Sequence, residues 1–98
     1  PVQAVLIPIA DRHLPYAQQA AERLKAAGLR VEVDDRGERM NAKIRDHQRM
    51  KVPYMLVVGD KEQENEQVAL RLRNGENPGP ISVEDFLEGG KADIDAGV

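Results

Sequence analysis

Ninety-eight residues with 41% apolar composition suffice for one compact core and are too few for two, so a single domain over residues 1–98 is expected. Two Tyr, one Phe and no Trp argue against an RNA-binding surface built on several stacked rings, and the lack of cysteine excludes disulfides, thiolate chemistry and cysteine-ligated metal. The net charge of −3 conceals a local asymmetry: residues 36–51 carry six Lys or Arg against two acids, which marks an anion-facing surface.

The chain opens at Pro1 rather than Met, so Pro1 is expected to be an internal position of a longer protein. No stretch approaches the length of a membrane span and no leader pattern is present, which points to the cytoplasm. Val2 to Ile9 is a nearly continuous apolar run, as in a central strand covered on both faces, and Pro8 marks its end. Polar residues from Asp11 and a proline at Pro15 suit a helix start. Tyr16, Ala17, Ala20, Ala21 and Leu24 then recur at helical spacing up to a glycine cap at Gly28. Leu29, Val31 and Val33 alternate with Arg30, Glu32 and Asp34, which predicts a half-exposed strand at the sheet edge.

The basic segment reads as a helix. At about 100° per residue, Met40, Ile44 and His47 share one side while Arg45 and Arg49 project from nearly the opposite one. Tyr54 to Val58 is apolar throughout and completes a strand-helix-strand-helix-strand unit with parallel pairing. Asp60 to Glu66 is too short for a parallel crossover, so the next strand, Gln67 to Arg73, is expected to run antiparallel, with Arg71 and Arg73 on one face. Residues 74–80 are a dense turn signal. Ser82, three residues before Asp85, resembles a capping box for a last helix through Phe86 and Leu87, ended by Gly89-Gly90. The segment 83–98 holds five acids and one Lys, and its tail, 89–98, is expected to fray.

Chemical sites are sparse. His13 and His47 stand apart, without the paired spacing of a zinc site, and suit capping or packing roles. No glycine pattern of a phosphate-cradling loop follows a strand, so no nucleotide cofactor and no catalytic residue is expected here. Acids after successive strands (Asp11, Asp34 with Asp35, and Asp60) fit a phosphate-accepting signalling receiver only weakly, because the fourth strand follows a short link.

Lys43-Ile44-Arg45-Asp46, then Val52-Pro53-Tyr54-Met55-Leu56-Val57-Val58-Gly59-Asp60-Lys61-Glu62, then Val68-Ala69-Leu70-Arg71 together resemble the anticodon-binding domain at the C-terminus of bacterial threonyl-tRNA synthetases. The resemblance reaches to about Leu87. It implies a three-layer α/β/α fold with a mixed five-stranded sheet, one strand antiparallel, and about three helices. It also implies a domain that binds the anticodon loop of threonine tRNA, while a separate catalytic domain of a homodimeric parent enzyme uses ATP and zinc. Carried over position by position, it assigns anticodon contact to Arg45, Glu62 and Arg71, and backbone contact to Arg36 and Lys51; Lys43, Arg49 and Arg73 are candidate phosphate contacts by their charge alone. The family commonly has Asn where Gly37 stands and Gly where Asn41 stands, so a base contact by that Asn is absent or replaced here. The alternatives are a stand-alone use of the fold for protein interaction, as in a polymerase accessory subunit, and the receiver reading, which a phosphorylation assay with acetyl phosphate separates.

The implied chemistry suits the code. Threonine anticodons end in G then U after a variable base, so a reader must recognise the last two positions and ignore the first. Guanine alone offers adjacent N1 and N2 donors that one carboxylate can accept, which is the role the resemblance gives Glu62. Arg71 can donate to guanine O6 or N7, and Arg45 to uracil carbonyls or a phosphate.

Overall fold

The computed structural model describes residues 2–72 and 75–88. Five strands, β1 (Ala4–Pro8), β2 (Val31–Val33), β3 (Tyr54–Val58), β4 (Gln67–Leu72) and β5 (Gly79–Ser82), form one sheet in the order β2-β1-β3-β4-β5. β1 pairs in parallel with both β2 and β3, and β4 runs antiparallel to its neighbours β3 and β5, so a single strand is reversed. The mixed α/β/α architecture is the expected one. β1, central and fully buried, sends Ala4 and Leu6 to one core and Val5 and Ile7 to the other. β2 is an edge strand, as its alternation predicts.

On one face α1 (Leu14–Ala26) lays Ala17, Ala20, Ala21 and Leu24 against the sheet, beside Val83 and Phe86 of the helical residues 83–88. Phe86 meets Tyr54 edge-on at 5.4 Å, and Ser82 Oγ caps this last helix by accepting the Asp85 N–H at 3.0 Å. On the other face α2 (Met40–Arg49) packs Ile44, joined by Val52, over Val5, Ile7, Met55 and Val57.

Two features differ from the sequence expectation. The link after β3 is itself a short helix, α3 (Asp60–Asn65), preceded in the chain by a 3-10 turn, Asp11–His13, at the start of α1; the helical segments thus outnumber the three expected. The turn-rich stretch contains β5, which pairs with β4 despite Pro80. As the outer strand, β5 can carry a residue without an N–H on its open side. Arg73, the Gly89-Gly90 stop and the acidic tail lie outside the described residues.

α1 and α2 end alike. Gly28 and Leu29 donate back to the carbonyls of Lys25 and Leu24, and Lys51 and Val52 donate to those of Gln48 and His47. The left-handed position is glycine in the first case (φ +96°) but Lys51 (φ 61°) in the second. An L side chain pays about 1–2 kcal/mol there, so Lys51→Gly is expected to stabilise the fold by up to about 1 kcal/mol, read as a higher urea midpoint with unchanged m-value. An unchanged or lower midpoint would mean that the lysine side chain offsets its backbone strain.

Candidate nucleic-acid interface

α2 divides as its periodicity requires. Ile44 and His47 are buried and Met40 half-buried, while Arg45 and Arg49 are exposed on the far side and Lys51 is exposed beyond the helix end. Arg39 adds an exposed cation at the helix start, and Met50 stands 63% exposed between Arg49 and Lys51. The side chains of Arg45, Arg49 and Lys51 have no hydrogen bond or ion pair among the described residues, which leaves this face available to an anion.

Two sequence-derived cations are placed differently. Lys43 is buried, with its Nζ donating to the Asp34 carbonyl at 3.1 Å, so it is not a free surface contact. Arg36 is exposed but engaged. Its Nε and Nη2 donate to Asp34 at 2.9 and 2.7 Å, and its Nη1 to Asp46 at 3.0 Å. Asp34, only 3% exposed at its side chain, is the hub of this cluster. Its Oδ1 also accepts the Arg36 backbone N–H at 3.2 Å, and its Oδ2 lies 2.8 Å from His47 Nε2. An ionised carboxylate only accepts, so His47 carries a proton on Nε2; its Nδ1 is buried and has no hydrogen-bond partner among the described residues. Burial alone would raise the Asp34 pKa, but the bonds from Arg36 and His47 outweigh it and hold the carboxyl well below the usual range. Asp34 thereby ties the loop after β2, including Gly37, to α2. That loop and the one after β1 flank a cleft of about 360 Å³ lined by Ile9, Ala10, Arg36, Gly37 and Lys43 among others.

Beyond β3 the chain passes through Gly59, where a Cβ would meet Ile9 Cδ1 at 2.7 Å and Glu62 Oε1 at 3.1 Å. The absence of that carbon lets Glu62, half-buried in the first turn of α3, fold back so that Oε1 accepts the Gly59 N–H at 2.9 Å. Glu62 Oε2 has no hydrogen-bond partner among the described residues. Asp60, two residues earlier in the same turn, is held by Arg12 (Nε 3.1 Å, Nη2 3.0 Å) and by His13 Nε2 at 2.6 Å, and these bonds lower its pKa.

Arg71, half-buried on β4, lies opposite Met55, so its side chain points to the α2 face of the sheet. Met55 lies three residues, about 10 Å, from the end of β3 that leads to Glu62. Glu62 and Arg71 are thus anchored near opposite ends of β3, and no hydrogen bond or ion pair joins them among the described residues.

The sequence reading missed Asp34 and Asp60 as anchors and both histidines as their buried partners. One signal was available: on the helical wheel Lys43 falls next to the arc of Met40, Ile44 and His47, about 40° from His47 and about 60° from Met40.

The profile of the anticodon binding domain family matches residues 3–92. The chain is 52% identical over 88 residues to a threonine–tRNA ligase of Alkalilimnicola ehrlichii, which covers 90% of this chain and 14% of that protein. The RNA binding domain of threonyl-tRNA synthetase from Cryptosporidium parvum Iowa II superposes with a TM-score of 0.87 at 26% identity, covering 94% of this chain and 23% of that one. Histidyl-tRNA synthetase from Nostoc sp. PCC 7120 superposes equally well, TM-score 0.87, over 96% of this chain and 23% of its own, and at 19% identity shows the fold alone.

Proposed function

Because this chain belongs to the anticodon-binding domain family, we propose that it is the anticodon-reading part of a threonine–tRNA ligase and recognises the last two anticodon bases, G and U. The observation that carries this reading is Glu62: its carboxylate is oriented by the Gly59 N–H at the carboxyl end of β3, and its other oxygen has no hydrogen-bond partner among the described residues. Such a group accepts the paired N1 and N2 donors of guanine, which no other base presents together. Arg71, at the other end of β3, donates to O6 or N7 of that guanine or to the adjoining nucleotide, and Arg45 to the uracil carbonyls or a phosphate. Arg49 and Lys51 follow the backbone. Arg36, held by two carboxylates, shapes the loop and offers its outer edge to a phosphate. Amino-acid activation with ATP and zinc belongs, on this reading, to a separate catalytic domain of a cytoplasmic, homodimeric enzyme.

Titration of the 98-residue chain with a hairpin RNA carrying a threonine anticodon tests the reading. Binding is expected to prefer guanine at the middle position and to be indifferent to the first. Affinity should fall as salt rises, and Arg49→Ala should lower the log-log slope by about 0.7 without altering base preference. Equal binding to every loop, or a salt-independent constant, would instead favour a fold reused for protein interaction.

A further inference from the structure

Helix α3 is six residues long and buries none of them, so neither its length nor its packing explains why its first turn keeps a defined orientation. The tie is at Asp60. Its carboxylate accepts from Arg12 and His13, which belong to the 3-10 turn after β1. Arg12 and Asp60 are exposed, but His13 is 2% exposed and cannot move without disturbing the core. The His13 ring is itself oriented: Nδ1 accepts the Ala10 N–H at 3.1 Å, so in the neutral imidazole the proton sits on Nε2 and is donated to Asp60 at 2.6 Å. A continuous path, Ala10 N–H to His13 to Asp60, thus joins the carboxyl end of β1 to the turn that carries Glu62.

We infer that Asp60, clamped by His13 and Arg12, is a positioning residue for Glu62 and so determines selectivity at the middle anticodon base. This rests on the reading of Glu62 as the acceptor for that base. A carboxylate that must meet two donors of one guanine edge tolerates little displacement, whereas phosphate contacts from mobile Arg and Lys side chains tolerate much more. Loosening the clamp should therefore erode base preference before it erodes electrostatic attraction. A simple stability staple would behave differently: it would lower the melting temperature and leave preference unchanged in the molecules that remain folded.

The test compares hairpins with guanine or inosine at the middle position, since inosine lacks only the N2 amino group. The wild-type chain should prefer guanine by roughly tenfold, the scale of one charge-assisted hydrogen bond. Asp60→Asn and His13→Ala should reduce that ratio to about threefold or less with an unchanged salt slope. His13→Gln, whose amide can donate near the place of Nε2, should recover much of it. Should Asp60→Asn be unfolded at the assay temperature, Arg12→Ala, which removes two exposed hydrogen bonds and leaves His13 in place, is read by the same ratio and should lower it. Wild-type ratios in folded Asp60→Asn, His13→Ala and Arg12→Ala would overturn the positioning role while leaving the function intact. No guanine preference in the wild type would overturn the role of Glu62 first, and the clamp with it.

Discussion

Asp34→Asn is expected to destabilise the fold by about 3 kcal/mol, the low end for breaking a buried ion pair, because Arg36 is 45% exposed and regains water when released. The substitution keeps size and shape but removes the charge and turns one acceptor into a donor. If the amide takes the place of Oδ2, Arg36 Nη2 loses its acceptor and the imidazole must accept through Nε2 and move its proton to Nδ1, a buried atom with no partner among the described residues. If it takes the place of Oδ1 instead, the Arg36 Nε–H and backbone N–H lose their acceptor. Urea unfolding at neutral pH measures the loss. The effect should depend on pH in a definite direction. The folded-state pKa of Asp34 lies well below its unfolded value, so as pH falls the unfolded chain takes up the proton first. The stabilisation is complete above the ordinary carboxylate range, near pH 4–5, and disappears as the pH falls further. Wild type and Asp34→Asn should therefore converge in acid. A difference that persisted unchanged at pH 3 would show that the carboxylate charge is not what Asp34 contributes. Asp60 acts in the same direction.

Glu62→Gln should weaken binding to the guanine loop by about 1–3 kcal/mol, the scale for leaving a charged or buried polar partner unmatched. Oε1 is already committed to the Gly59 N–H, and a glutamine that keeps this contact with its carbonyl must present its NH2 where the guanine donors arrive. Donor then meets donor. The loss should concentrate on the base and not on the backbone: the salt slope stays constant, and the guanine-to-inosine ratio shrinks relative to wild type. Arg71→Ala should also weaken binding. Where Arg71 and Glu62 hold the same guanine, their losses should couple in a double-mutant cycle, whereas an Arg71 contact to the adjoining nucleotide should add nearly independently. If wild type binds guanine and inosine loops equally, Glu62 is not reading N2, and its carboxylate is only the first-turn cap of α3.

Much of this architecture was legible locally. The unbroken apolar runs of β1 and β3 require cover on both faces, the alternation in β2 suits an edge, and the short link after Gly59 forces β4 to reverse. The exposed cationic side of α2, carrying Arg45 and Arg49, follows from a rotation of about 100° per residue. These are properties of chain geometry and hydrophobic period, and both are written in neighbouring residues.

What the tertiary structure alone decided is which charges are spent inside the fold. Lys43 and Arg36 count equally with Arg45 and Arg49 in the composition, yet an acid and a carbonyl at the end of β2 capture the first two. His13 and Asp60 are 47 residues apart and meet only because β1 and β3 are neighbours in register. β5 exists because β4 offers it an open edge, although its own sequence, with Gly79 and Pro80, reads as a turn. Burying a charge is tolerable only where a partner waits. For Lys43 and Asp34 that partner comes from another element, so helix and strand periodicity could show which way each side chain points but not what it would meet.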